Sequence, residues 1–128
     1  IFQLFFLFSV NRNGLILSTA KSSKSNTFTD SCVVYAYDNI TKYGIIENIF
    51  YIEEQHLYIL KIHPLRNTNY DSLTFKNKTF TNKHIIYGDL SNDTFDFVHV
   101  TDVIEKGCFY QNNDVCYFAR FPNLYESS

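Results

Sequence analysis

Residues 74–84, TFKNKTFTNKH, set three cations among two aromatic rings. Lys76, Lys78 and Lys83 lie near Phe75 and Phe80, and no acid intervenes between Asp71 and Asp89. The pattern suits single-stranded nucleic acid, with ammonium groups on phosphates and rings under bases. Three charges give weak binding that salt removes quickly. A net charge of −2 across the 128 residues also opposes any general attraction to nucleic acid. The bland alternative, a solvated loop with its phenylalanines pinned to the body of the fold, fits that charge balance better.

Cys32, Cys108 and Cys116 are the remaining reactive side chains of note. Cys108 and Cys116 flank a turn, which makes them the candidate pair for a cross-strand disulfide. They face each other across a three-residue loop, Gln111-Asn112-Asn113, whereas a two-residue Asn112-Asn113 loop sets Cys108 against Tyr117. Bridging needs Cβ atoms about 3.8 Å apart. Buried free thiols, acting as small hydrophobes, are the alternative. His84 or His99 joining the cysteines would suit zinc, but the chain has no C-x-x-C or H-x-x-x-H spacing. No metal and no cofactor is expected.

The carboxylates Glu47, Glu53, Glu54, Asp102 and Glu105 have the chemistry of general acids and bases. Glu53-Glu54 reads more simply as the solvated tip of a hairpin. The four glycines form neither a phosphate-binding loop nor a nucleophile elbow. The chain is therefore read as a non-enzyme without catalytic residues. Asn39-Ile40-Thr41, Asn77-Lys78-Thr79 and Asn92-Asp93-Thr94 match the glycosylation acceptor pattern, which matters only for a secreted protein.

The elements that carry these residues are strands. An aromatic share of 18%, with 13 Phe and 10 Tyr, fits pleated, half-buried surfaces. Asn13-Gly14 is a strong turn signal, so residues 2–10 and 15–20 form a leading apolar hairpin. Residues 21–30 read as a surface loop and 32–37 as the next strand, ended by a turn at Asp38-Asn39. Residues 43–52 and 56–62 make a central hairpin around Glu53-Glu54-Gln55. Tyr43, Ile45, Ile49 and Tyr51 line one face, and Ile46, Phe50 and Ile52 the other, so both faces are covered in a curved sheet. Gly44 relieves a bend or bulge there, and His63-Pro64 ends the strand, since Pro gives no amide hydrogen to the ladder.

Residues 66–82 are the least regular, with Leu73, Phe75 and Phe80 as anchors. Residues 84–87 and 95–100 are further strands, and 101–105 is a short turn capped by Thr101, with a kinked strand as the alternative. Residues 108–110 and 115–119 close a last hairpin, followed by an extended end over 120–126. The expected architecture is all-β: a small single-domain barrel of about eight or nine mostly antiparallel strands, with a leading hairpin over 1–20 and the barrel over 30–126.

The run IFQLFFLFSV at the start is about half the length of a bilayer span. It lacks the basic segment and small-residue cleavage site of a signal peptide. A strand buried on both faces is the simpler reading, and no membrane span is expected. The absence of any Met, even at position 1, reads as a piece of a longer chain or an incomplete gene model.

Tyr43-Gly44-Ile45-Ile46 leading into the central hairpin, residues 100–106 before Cys108, and Pro122-Asn123-Leu124-Tyr125-Glu126 together carry a resemblance. Over residues 30–126 the chain resembles the small β-barrel region near the end of transposable-element-derived proteins of animals, and more loosely transposon-associated domains of plants. Its general form is similar to bromo-adjacent-homology modules and other SH3-type barrels. The resemblance implies a nuclear, non-catalytic interaction module within a longer protein, binding a protein or peptide, and carries over no functional residues. The alternatives are a weak single-stranded nucleic-acid binder using residues 74–84 and a secreted, extracellular β-sandwich bridged by Cys108 and Cys116.

Overall fold

Pairs of adjacent residues with positive φ make two tight turns among the described residues. Asp38 and Asn39, at 49° and 64°, and Lys76 and Asn77, at 52° and 63°, each close a two-residue hairpin loop. Such turns match the right-handed twist of the flanking strands, and Asn and Asp adopt them at little cost. The computed structural model describes residues 4–12, 15–19, 27–28, 31–90, 94–112 and 115–120.

Those residues hold eleven strands: β1 (Leu4–Leu7), β2 (Ser9–Arg12), β3 (Leu15–Ser18), β4 (Thr27–Phe28), β5 (Cys32–Tyr37), β6 (Ile40–Ile52), β7 (Leu57–Phe75), β8 (Lys78–Leu90), β9 (Asp96–His99), β10 (Val103–Asn112) and β11 (Val115–Arg120). Three-residue 3-10 turns occupy Glu53–Gln55 and Val100–Asp102. Among the described residues no helix is long and apolar enough to cross a membrane. The fold is all-β, in keeping with the aromatic-rich composition.

Pairing runs β6–β5–β10–β11–β8–β7, and β7 pairs back onto β6, giving a barrel-like ring. Each of the six strands contributes to one buried cluster: Cys32, Val34, Ile45, Leu65, Ile86, Phe109, Cys116 and Phe118. The opposite faces of β5 and β6 are buried too. Val33, Tyr35, Ile46 and Ile49 join Leu60, Ile62, Val98, Val100, Val103 and Leu17 in a second cluster. β5 and β6 are thus covered on both sides, which accounts for their near-continuous apolar sequences.

Several strand expectations are corrected by pairing that local pattern does not reveal. Glu47 is an extra residue, because the register steps from Ile46↔Ile62 to Asn48↔Lys61. One inserted residue reverses the alternation of faces. Ile49, expected beside Tyr43 and Ile45, therefore packs with Ile46. Pro64 does not end its strand, and β7 continues to Phe75. Pro64 is the last residue paired with β6 and Leu65 the first paired with β8. Its missing amide hydrogen thus falls where β7 exchanges one partner for the other. Gly44 stands opposite Pro64, where an added Cβ would lie 2.4 Å from the His63 carbonyl oxygen. Close approach, not the bulge three residues on, explains that glycine.

Of the expected first arm, residues 2–10, the described residues 4–10 are shared between two sheets, and Leu4, Phe5, Phe6 and Phe8 are exposed, contrary to a strand buried on both faces. β1 lies along the end of β6, while β2 pairs with β3. Thr27–Phe28, within the expected loop 21–30, pairs with β10. Of the stretch 101–105, only Thr101 and Asp102 lie in a short turn, which starts at Val100 and so holds Thr101 inside it, while 103–105 open β10 with a register shift, the kinked strand of the alternative reading. Asn13-Gly14, most of 21–30, the Asn92 acceptor site and the 122–126 motif lie outside the described residues.

Candidate functional site

Residues 66–82, expected to be irregular, instead form the outer part of the β7–β8 hairpin. Below the Lys76-Asn77 turn the ladder runs Phe75↔Lys78, Thr74↔Thr79, Leu73↔Phe80, Ser72↔Thr81 and Asp71↔Asn82. Thr and aromatic residues favour this extended backbone. The strands were hard to read because no core lies against either face. At the base the ladder breaks between Tyr70 and Asp71. There Asn82 Oδ1 accepts the His84 amide hydrogen at 3.0 Å, and Asn69 Oδ1 accepts that of Tyr70 at 3.0 Å. Asparagine side chains thus take backbone donors that a continuous ladder would use.

Beyond that break the two strands pair only with each other among the described residues, and the arm stands off the body. Leu73, Phe75 and Phe80 are 65%, 60% and 56% exposed, so they anchor nothing, contrary to expectation. Register and alternation gather Leu73, Phe75, Lys78 and Phe80 on one face. Thr74 and Thr79 occupy the other, their hydroxyl oxygens 3.2 Å apart. Lys76 Nζ lies 5.5 Å from the centre of the Phe75 ring, within cation–π range. Four of the five residues picked out for nucleic-acid contact therefore meet at the arm's end. Lys83 sits apart, past the last paired residue of the arm's ladder, Asn82.

The cysteine pairing is corrected. The last hairpin pairs Asn112 with Val115, which sets Cys108 opposite Ala119 and Cys116 opposite Gln111. The loop holds two residues, 113–114, and parity leaves the two cysteines on opposite faces of the ladder. None of the three cysteines is in a disulfide. Burial pushes the Cys32 thiol far above its usual range, Cys108 adding to the effect and the Ser31 hydrogen bond opposing it. Burial raises Cys116 as well. Among the described residues no three His, Cys, Asp or Glu side chains gather to hold a metal ion.

The candidate acids are dispersed or already engaged. Glu47 pairs with His63, and Glu105 with Arg120. Glu53 and Glu54 form the exposed hairpin tip, and Asp102 lies on the Val100–Asp102 turn. A polar cluster that sequence reading missed joins Asp96, Lys42 and Tyr35. Asp96 Oδ2 accepts the Tyr35 hydroxyl at 2.7 Å and lies 2.5 Å from Lys42 Nζ. Burial, with the neighbouring Asp96 carboxylate, holds the Tyr35 phenol well above its usual range. Tyr35 and Lys42 face each other across the Asp38-Asn39 hairpin, but Asp96 is 61 and 54 positions away from them, and no local pattern brings it there. No protein-family model, curated protein or solved structure matches the chain.

Proposed function

We propose that this chain is a non-catalytic interaction module of a longer, transposon-derived nuclear protein, and that the 70–84 arm is its contact element. The arm's exposed apolar face carries the reading. A two-stranded hairpin is marginal in water on its own, and here Leu73, Phe75 and Phe80 have no layer to bury against. A protein partner covering that face would remove apolar surface worth roughly 25 cal/mol per Å². The pairing of Glu47, Glu105 and Asp96 with His63, Arg120 and Lys42 fits structural, not catalytic, carboxylates. The nuclear and transposon side of the reading rests on the sequence resemblance alone.

The test compares the wild type with Phe75→Ser/Phe80→Ser after photo-crosslinking through a probe placed at Thr79. Loss of a reproducible crosslinked partner, with circular dichroism and melting unchanged, supports the arm. Identical partners for both proteins exclude it. A second reading, single-stranded nucleic acid, is favoured by Lys76 against the Phe75 ring and Lys78 opposite it. Three neutralised phosphates give a salt slope near −2 for a single strand. Replacing Lys76, Lys78 and Lys83 by Ala should abolish that slope for an oligothymidine probe, and an unchanged slope rejects this reading.

A further inference from the structure

β9 follows the core yet is paired on one side only. Its four residues match Ile59–Ile62 of β7, and among the described residues nothing pairs with the outer edge. In an antiparallel pair alternate residues direct their N–H and C=O groups away from the partner. Two of the four residues of β9 therefore present both groups outward. Across from that edge lies the end of β5. β10 pairs with β5 only as far as Tyr35, because the chain arrives there through the Val100–Asp102 turn. Among the described residues Ala36 and Tyr37 have no strand neighbour on that side. A seam thus separates the outer edge of β9, which lies outside the ring, from the end of β5.

The seam is open space. A cleft of about 580 Å³ lies along it, with Ile59, Tyr37, Phe97, His99, Asp38 and Asp102 among its lining residues. β9 is about 13 Å long at the usual rise per residue. Phe97 is exposed and Asp96 and Val98 are buried, so the strand turns alternate side chains toward the cleft and the core. Among the described residues no Lys or Arg lines the cleft, and Asp38 and Asp102 stand in no ion pair there. Lys42, which lies 5.0 Å from the Tyr37 ring centre, is held by Asp96.

We propose that this seam takes an extended basic peptide, added as a strand to the outer edge of β9, with a cationic side chain between Asp38 and Asp102. Main-chain hydrogen bonds to an open edge supply affinity, and pockets for alternate side chains supply specificity. An apolar side chain of the same peptide would rest on Phe97 and Ile59. The surface is separate from the 70–84 arm, whose exposed lysines would repel such a ligand.

The test uses the full 128-residue chain and an end-capped heptapeptide alternating lysine and valine, followed by amide NMR. The expected result is saturable binding with shifts at residues 36–39 and 97–102. Methylating alternate peptide nitrogens, which removes their donors and leaves the protein untouched, should abolish binding in one of the two registers. The exposed double variant Asp38→Asn/Asp102→Asn should weaken binding about fivefold at low salt, the range of two rim charges. Phe75→Ser/Phe80→Ser should leave it unchanged, so failure of the arm reading and failure of this one give different results. No saturation, shifts confined to the arm, equal binding of both methylated peptides, or equal binding of a glutamate–valine peptide each overturns the proposal.

Discussion

Replacing Lys42 by Met should destabilise the fold more than replacing Asp96 by Asn, although both break the same ion pair. The Lys42 side chain is 27% exposed and that of Asp96 6%. Without Lys42, a carboxylate enclosed on nearly all sides keeps, among the described residues, the Tyr35 hydroxyl as its side-chain partner. Stranding a buried charge costs about 3–5 kcal/mol, and the partial exposure of Lys42 argues for the lower end, about 3 kcal/mol. Without Asp96, the ammonium can turn into solvent and an asparagine oxygen still accepts from Tyr35. The cost should then be about 1–2 kcal/mol. Removing both charges should cost less than removing Lys42 alone, since no stranded carboxylate remains. Urea unfolding followed by far-ultraviolet circular dichroism gives the comparison. At a slope of about 2 kcal/mol/M, the Lys42→Met midpoint should fall by about 1.5 M. A Lys42→Met cost under about 0.5 kcal/mol, or a larger cost for Asp96→Asn, refutes the burial argument.

Three further outcomes follow from the packing. Cys32 stays protonated in the fold to a far higher pH than in the unfolded chain. Above about pH 8.5 the unfolded state alone loses that proton, so stability should fall by up to about 1.4 kcal/mol per pH unit. Cys32→Ala should flatten this decline, and an unaltered slope between pH 8.5 and 9.5 contradicts the assignment. Gly107→Ala would bring a Cβ to 2.2 Å from the ring of Phe118, which is itself fully buried. A loss of about 1–3 kcal/mol in unfolding free energy is expected, and a neutral result would mean the ring has room to retreat. Thiol titration of the unreduced, denatured protein should find three free thiols; a count of one would restore the Cys108–Cys116 bridge.

Local chemistry made the strands readable. The bounds of β5, the Asp38-Asn39 turn and the hairpin tip at Glu53–Gln55 can all be read from short stretches. Their signals are φ preferences and apolar runs, which depend on a residue and its nearest neighbours. The Asn- and Thr-rich arm escaped that reading because a strand with no buried face shows no apolar alternation.

The composition and the turn residues pointed to an all-β chain, and the sequence alone put Lys76, Lys78, Phe75 and Phe80 within six consecutive positions. Tertiary structure alone decided which side chains share a face. The extra residue at Glu47 moved Ile49 to the other core, and the two-residue final loop separated Cys108 from Cys116. It also brought Asp96 to Lys42 and Tyr35, and left Phe75 and Phe80 in solvent. Side-chain direction reverses with every residue of register, so it depends on how the paired strands close, a quantity that no short segment contains.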